Sequence, residues 1–243
     1  MKISRKALLK VAFFASLTLI FGFSKIKQVE DDRFIAYTGD CKKQNIVMYW
    51  KDDEGKNFGS IRNLQSWLTK SGRKLVFAMN GGMYGLDQSP KGLFIENGQV
   101  RSQLDTSSGN GNFYIKPNGV FYISNSAVPA ICDTKNFQDD GKIKYATQSG
   151  PMLVIDGSVP ATFKQGSINL NVRNGVGLLP NGNVVFAISK VPVNFYDFAS
   201  YFKSMGCREA LYLDGFVSRM YLPGKNWTQT DGDLGVIIAV TTK

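Results

Sequence analysis

The sequence contains no histidine among its 243 residues. Without an imidazole the chain cannot build a Ser-His-Asp triad, a Cys-His pair or a histidine-ligated zinc site. It also lacks a P-loop and the glycine fingerprint of dinucleotide-binding folds. The groups left for chemistry are carboxylates, lysine, arginine, tyrosine and the backbone. We therefore predict no cofactor, although a divalent cation such as Ca²⁺ remains compatible with the sequence.

Cysteine is scarce, with three residues at positions 41, 132 and 207. The number is odd and the spacing matches no zinc motif. Cys41 and Cys132 lie in polar, loop-like surroundings, so they form the candidate disulfide in an oxidising compartment. We expect Cys207 to be buried and free.

The one long apolar run lies at the N-terminus. Residues 1–27 carry six basic residues and no acidic ones, and the run from Val11 to Phe23 has thirteen residues. A membrane span needs about 20, so the pattern is typical of a secretory signal. Cleavage after Ser24 and retention as an uncleaved anchor both stay open. We predict an exported protein, periplasmic or extracellular, with membrane contact only through this segment.

Residues 28–243 are predicted to form a single domain. The whole chain has a net charge of +10, but the part after residue 27 has 23 basic and 19 acidic residues, a net charge of +4. No basic run with interleaved aromatic residues occurs, so we predict no nucleic-acid partner. The mild positive bias suits anionic substrates such as phosphate esters.

Two similar segments organise the rest of the chain. The first runs from Ile61 to Asn80 and combines helical apolar spacing, a glycine and a buried strand that ends in a polar residue followed by glycine. The same order returns 134 residues later, from Phe195 to Asp214. The repetition predicts an internal duplication with Asn80 and Asp214 in equivalent positions.

Asn-Gly and Asp-Gly pairs between apolar runs predict β-hairpins at 97–98, 118–119, 156–157 and 181–182. The run at 113–115 is the predicted first strand of the hairpin at 118–119. The expected fold is α+β, a mostly antiparallel, hairpin-rich mixed sheet with two or three packed helices.

Asp214 is the best-placed carboxylate, because it ends a buried strand where its surroundings can tune its pKa. Four other carboxylates are expected to be solvated in loops: Asp87, Asp197, Asp231 and Asp233.

Four stretches carry a family resemblance in chain order. They are Asn80-Gly81-Gly82-Met83-Tyr84, Gln148-Ser149-Gly150-Pro151, Arg173-Asn174-Gly175-Val176-Gly177 and Leu213-Asp214-Gly215-Phe216-Val217-Ser218. Together they resemble the phosphodiester glycosidase family, which includes the catalytic domain of the mannose-6-phosphate uncovering enzyme. The resemblance spans roughly residues 45–240. Two positions depart from the family pattern: Phe216 replaces a second glycine, and Asn174 stands where Ser or Thr is common.

The resemblance implies an exported hydrolase that cleaves the glycosidic bond of a sugar-1-phosphodiester in an envelope or extracellular glycan. Asp214 is then the acid/base or nucleophile, Arg173 a planar fork for the phosphodiester, and Asn80 a hydrogen-bonding partner of the substrate. The residues expected to bind substrate are Gly81, Gly82, Met83, Tyr84, Ser149, Gly150, Arg173, Gly215 and Ser218.

Two alternatives stay open at this point. The same fold could bind envelope glycans without hydrolysing them. It could also act as a metal-dependent phosphodiesterase, in which Asp214 and other carboxylates hold Ca²⁺ or Mg²⁺.

Overall fold

The computed structural model describes residues 31–242. The predicted signal or anchor at residues 1–27 lies outside the described residues. Within 31–242, no helix is long and apolar enough to cross a membrane. The helices are α1 (Ile61–Lys70) and α2 (Phe195–Ser204). The strands are β1 (Phe34–Gly39), β2 (Ile46–Tyr49), β3 (Leu75–Asn80), β4 (Phe94–Glu96), β5 (Gln99–Ser102), β6 (Gly119–Ser124), β7 (Pro129–Asp133), β8 (Ile143–Ser149), β9 (Met152–Val154), β10 (Asn174–Leu178), β11 (Val184–Ser189), β12 (Ala210–Asp214), β13 (Met220–Leu222), β14 (Trp227–Thr228) and β15 (Ile237–Thr241).

The strands form three five-stranded antiparallel sheets. The first has the order β1-β11-β10-β12-β9, the second β14-β13-β3-β15-β2 and the third β5-β4-β8-β6-β7. The α+β class with mostly antiparallel strands is confirmed, although the strands divide into three sheets. Strands β3 and β12, which end in the two predicted site residues, belong to different sheets.

Both helices form where the apolar spacing predicts them. Ser60 caps α1 by accepting a hydrogen bond from the Asn63 N–H. Asn194 caps α2 in the same way through the Asp197 N–H. Each helix spans ten residues, and each is followed by a glycine in the left-handed region, at positions 72 and 206. The two segments therefore match in length and capping at the predicted offset, while their origin by duplication stays a prediction.

Aromatic side chains join the three sheets in one core. Phe186 of β11 lies with its ring centroid 5.2 Å from that of Phe77 in β3 and 5.9 Å from that of Phe121 in β6. Helix α2 packs on the other face of the first sheet through Phe198 and Phe202, in a cluster that includes Tyr212 of β12. Burial of these large rings supplies much of the hydrophobic stabilisation.

The hairpins at 97–98 and 181–182 are confirmed by the pairs β4–β5 and β10–β11. The prediction of a hairpin at 118–119 is wrong. Residues 112–114 form a 3₁₀ turn, and β6 pairs with β7 and β8 instead. Pro117 has no N–H to donate to a strand ladder, and Phe113 is buried as the anchor of its loop. The pair at 156–157 forms a tight turn closed by a single bridge between Ile155 and Ser158.

The predicted disulfide is also absent, since Cys41, Cys132 and Cys207 are all free. Cys41 follows β1 and packs against the main core, whereas Cys132 lies in β7 and packs against a separate cluster of the third sheet. The two thiols therefore pack against different clusters, which the local sequence does not show. Cys207 is buried and free, as predicted.

Candidate active site

Asp214 lies at the end of β12 with 5% of its surface exposed. One carboxylate oxygen, Oδ1, accepts a hydrogen bond from the Phe216 N–H at 3.0 Å. The other, Oδ2, accepts from Asn80 Nδ2 at 3.1 Å. Burial raises the pKa of Asp214 from 3.8 to about 6, and hydrogen bonds from the backbone N–H groups of residues 215–217 and from Asn80 oppose that rise. The carboxyl group is therefore oriented on both sides and titrates close to neutral pH.

Asn80, Asn174 and Asp214 form a buried triangle at the seam between the first and second sheets. Asn80 Oδ1 accepts from Asn174 Nδ2 at 2.7 Å and from the Arg219 N–H at 3.0 Å. Its Nδ2 must then face Asp214. Asn174 Oδ1 accepts from the Asp214 N–H at 2.8 Å. Because each amide has one end that donates and one that accepts, these partners fix both amide orientations.

A β-bulge aims Asp214 at this triangle. Asn174 pairs with Asp214 and Gly175 pairs with Tyr212, which leaves Leu213 as an extra residue in β12. A bulge of this kind redirects the side chain beside it. The Leu213 carbonyl at the bulge accepts a hydrogen bond from Ser149 Oγ at 2.8 Å. Ser149 was predicted to bind substrate. Its hydroxyl instead provides the hydrogen-bond partner of the backbone carbonyl next to Asp214.

Asp214 opens into a cleft of about 500 Å³. The cleft is lined by Met83, Tyr84, Gly85, Leu86, Lys91, Asn110, Gly111, Asn112, Phe113, Asp214, Phe216, Val217 and Asp233. Lys91 supplies a positive charge to the cleft, and its Nζ lies 4.6 Å from the ring centroid of Tyr114. A larger cavity of about 580 Å³ beside β1 shares no lining residue with the cleft. The cleft therefore combines the oriented carboxylate of Asp214 with a lysine, a second carboxylate at Asp233, and both polar and apolar walls.

Met83 and Tyr84 are the predicted substrate-binding residues that line the cleft with Asp214. Burial raises the pKa of Tyr84 to about 12, so its hydroxyl stays protonated; it donates to the Asp233 carbonyl. Ser218 Oγ donates to the Asp214 carbonyl at 2.9 Å and lies beneath the site.

The predicted glycines serve packing in this structure. A Cβ on Gly81 would lie 2.7 Å from Ile238 Cγ1, and one on Gly82 the same distance from Thr147 Oγ1. A Cβ on Gly150 would lie 2.7 Å from Asn118 Nδ2. These glycines let neighbouring strands and side chains approach closely, and contact of their backbone with a ligand stays a prediction.

Arg173 is buried completely, which corrects the expectation that it faces the cleft. Its Nε donates to the Val193 carbonyl at 2.8 Å, Nη2 to the Asn169 carbonyl at 2.9 Å and Nη1 to Tyr212 Oη at 3.1 Å. The guanidinium also stacks 3.7 Å from the ring centroid of Phe195. Burial lowers the pKa of Arg173 from its ordinary value.

Arg173 reaches the site through Tyr212. A Cβ on Gly215 would overlap the Tyr212 hydroxyl, so this hydroxyl packs directly under the backbone that follows Asp214. Sequence reasoning missed Tyr212, since it sits inside an apolar strand pattern. The available signal was a tyrosine two residues before Asp-Gly, at a position whose phenol needs a buried partner.

Two further charged residues, Lys91 and Asp233, line the cleft. Asp233 is exposed there, which agrees with the expectation of a solvated loop residue. Asn174, noted only as a departure from the family pattern, is fully buried in the triangle. Between residues 31 and 242 there is no group of three Asp, Glu, Cys or His side chains placed to hold a metal ion.

Comparison with known proteins places the chain in a family. Residues 73–240 match the phosphodiester glycosidase family, and the chain belongs to it. YigE of Escherichia coli (strain K12), described as an uncharacterized protein, is 40% identical over 190 residues, which cover 78% of this chain and 74% of YigE.

Two solved structures share the fold. One is the zebrafish N-acetylglucosamine-1-phosphodiester alpha-N-acetylglucosaminidase catalytic domain, auto-inhibited by its pro-peptide. It has a TM-score of 0.56 at 14% identity, covering 89% of this chain and 86% of that one. The other is a hypothetical protein from Synechocystis, with a TM-score of 0.52 at 14% identity, covering 86% of this chain and 59% of that one.

Replacing Arg173 with Lys should destabilise the fold. A lysine keeps the charge but cannot donate to three separated acceptors, so buried oxygens lose their partners. We expect the free energy of unfolding to fall by about 2–4 kcal/mol, measured by chemical denaturation. Arg208→Lys is the matched control, because the side chain of Arg208 is 77% exposed, and we expect it to change little. Equal stability of the two variants would contradict the assigned role of Arg173.

The raised pKa of Asp214 predicts a pH-dependent stability. Because the folded-state pKa of about 6 exceeds the ordinary 3.8, protonation stabilises the native state below pH 4, and this stabilisation is lost as pH rises through 6. The wild type should lose about 2–3 kcal/mol relative to Asp214→Asn between pH 4 and 8. The measurement is the free energy of unfolding of both proteins across this range.

The quantity compared is the change in the free energy of unfolding with pH. The amide introduced at position 214 faces the Asn80 donor, so it adds an offset to that free energy that does not vary with pH. Asp231→Asn is a control of opposite sign, since the side-chain hydrogen bond from Arg219 lowers the pKa of Asp231. Parallel stability curves for the wild type and Asp214→Asn would argue against a raised pKa.

Proposed function

We propose that this protein is a hydrolase that cleaves the glycosidic bond of a sugar-1-phosphodiester. The observation that carries the proposal is Asp214, a carboxylate oriented on both oxygens, with a pKa of about 6, at a cleft that also holds Lys91. Membership of the phosphodiester glycosidase family supports the reaction class. The zebrafish relative's name describes an N-acetylglucosamine-1-phosphodiester glycosidase, which supports a sugar joined to phosphate through its anomeric carbon.

In this reaction the bond between the anomeric carbon and the phosphate oxygen breaks. The electron pair leaves with the oxygen, water adds to the carbon, and the products are the free sugar and a phosphate monoester. Ordinary glycosidases need a second carboxyl group to protonate the departing alcohol. A phosphate monoester leaves as a stable anion, so one carboxylate suffices.

Asp214 acts in its ionised form, either as the nucleophile at the anomeric carbon or as the base that takes a proton from water. Asn80 and Asn174 are positioning residues in this proposal, because both are fully buried and reach the substrate only through Asp214. Their hydrogen bonds hold the carboxylate in one orientation, which reduces the cost of reaching the transition state.

Lys91 is the proposed phosphate contact. Lys91 lines the cleft and brings a positively charged ammonium group to it. A lysine binds phosphate as a point charge, without the bidentate geometry of an arginine. Arg173 takes a positioning role, since its donors are engaged by the Asn169 and Val193 carbonyls and by Tyr212.

Asp214→Asn should lower turnover by at least about a hundredfold, the range typical of acid–base catalysis. In the wild type, kcat should rise with pH through about 6 and then level off, because the carboxyl group must lose its proton. Steady-state kinetics on methyl phosphodiesters of glucose, galactose, mannose and N-acetylglucosamine tests this, with free sugar as the product measured.

Asp156→Asn is the matched control, because the side chain of Asp156 is 81% exposed and lies outside the cleft. Near-wild-type kcat in a folded Asp214→Asn variant would remove Asp214 from the mechanism. Sugar phosphate in place of free sugar as the product would favour the phosphodiesterase alternative. Binding without turnover would favour the glycan-binding alternative.

We further propose that the enzyme is exported and acts on envelope or extracellular glycans. The support is the basic N-terminus followed by the apolar run of Val11 to Phe23. Cell fractionation should find the protein in the periplasm, the medium or the membrane fraction, with its C-terminal domain accessible to external protease. Full-length chain in the cytoplasmic fraction would overturn this proposal.

A further inference from the structure

Two large apolar side chains that line the cleft are exposed to solvent. Phe216 is 98% exposed, and Leu86 is also fully exposed. Both line the cleft into which Asp214 opens. Leaving such side chains in water forgoes the free energy of burying them. Exposed apolar groups at a concave site with a few polar groups are typical of a surface that a ligand covers.

The backbone on each side of the cleft fixes where these side chains stand. The Phe216 N–H donates to Asp214 Oδ1 at 3.0 Å, so the aromatic ring begins two residues from the carboxylate. Leu86 lies in a tight turn closed by two backbone hydrogen bonds of 2.9 Å, from Gly85 to Ser89 and from Gln88 to Gly85. Both apolar groups are therefore held beside the proposed reacting centre.

Besides the polar side chains of Tyr84, Asn110, Asn112 and Asp233, the cleft presents three groups that this inference uses. Asp214 serves the anomeric carbon, and Lys91 complements the negative charge of the phosphate. Leu86, Phe216 and Val217 offer no hydrogen-bonding side-chain group. A sugar on that side would leave its hydroxyl groups unpaired against Leu86, at a cost for each one desolvated. A hydrocarbon would lose nothing and would bury the exposed apolar surface.

We propose that the alcohol esterified to the phosphate is a long-chain lipid alcohol, so that the substrate is a lipid-linked sugar phosphate. This inference rests on the proposed function and specifies its leaving group. Hydrolysis then gives the free sugar and a lipid monophosphate. Phe216 and Leu86 contact the chain beyond its first carbon, while Lys91 contacts the phosphate.

The test compares methyl and decyl phosphodiesters of the same sugars, below the concentration at which the decyl esters form micelles. Burial of only a few methylene groups corresponds to at least about a tenfold gain. We expect kcat/KM to be higher for the decyl ester by at least that factor. Phe216→Ser and Leu86→Ser should each reduce this preference and leave the methyl ester unaffected. Val128→Ser is the matched control, since Val128 is an exposed apolar residue in the β6–β7 turn, outside the cleft.

The outcomes separate this inference from the proposed function. Equal kcat/KM for both esters would overturn the lipid inference and keep the hydrolase. Parallel losses on both esters in Phe216→Ser would also overturn it and make Phe216 a contact of the sugar.

Failure to cleave any ester would overturn the hydrolase. In that case, calorimetry with octyl phosphate and methyl phosphate tests the apolar contact alone. Tighter binding of octyl phosphate that Phe216→Ser abolishes would support the inference, and equal affinities would overturn it.

Discussion

The hydrogen bond between Asn80 and Asp214 is the contact on which the rest of the site depends. It joins the end of β3 in the second sheet to the end of β12 in the first. Asn174 closes the triangle from β10 by accepting from the Asp214 N–H and donating to Asn80. Each buried donor or acceptor left without a partner would cost about 1–3 kcal/mol. Hydrophobic contacts such as Phe77 on Phe186 hold the sheets together, but they tolerate small displacements that this triangle does not.

The glycines and the bulge around the triangle follow from the same constraint. The bulge at Leu213 turns Asp214 towards Asn80, and the displaced carbonyl then needs the hydroxyl of Ser149. A Cβ on Gly175 would lie 2.8 Å from the Leu211 carbonyl, so the paired strand has no room for a side chain there. Close packing of the paired strand therefore requires a glycine at position 175.

Local signals in the sequence predicted the elements that depend on neighbouring residues. Apolar spacing predicted both helices, and the repeated segments predicted equivalent positions for Asn80 and Asp214 at the ends of two buried strands. The same reasoning failed wherever the outcome depends on distant partners. Arg173 was wrongly expected at the cleft. Its burial depends on distant partners such as the Val193 carbonyl, twenty residues away. The three-sheet arrangement likewise depends on pairings such as β3 with β15, which no local pattern encodes.

The position of Lys91 at the cleft could not be predicted for a similar reason. Only the fold brings Lys91 and the loop at 110–113 together as lining of one cleft. Phe216 was visible as a departure from the family pattern, yet its position on the cleft wall depends on the turn that follows Asp214. The residues proposed to contact the phosphate and the leaving group are therefore the ones that local patterns describe least well.

The two equivalent strand ends carry different residues, and this difference has a physical consequence. Asn80 Nδ2 and Asp214 Oδ2 are 3.1 Å apart in a site shielded from water. Two carboxylates at that distance could not both ionise, and one would hold a proton at neutral pH. An amide at position 80 gives Asp214 a donor in place of a second negative charge. Burial still raises the pKa of Asp214 to about 6, which leaves the carboxylate ionised at neutral pH and basic enough to act. One amide and one carboxylate at matching strand ends thus give a single titrating group suited to a reaction whose leaving group needs no proton.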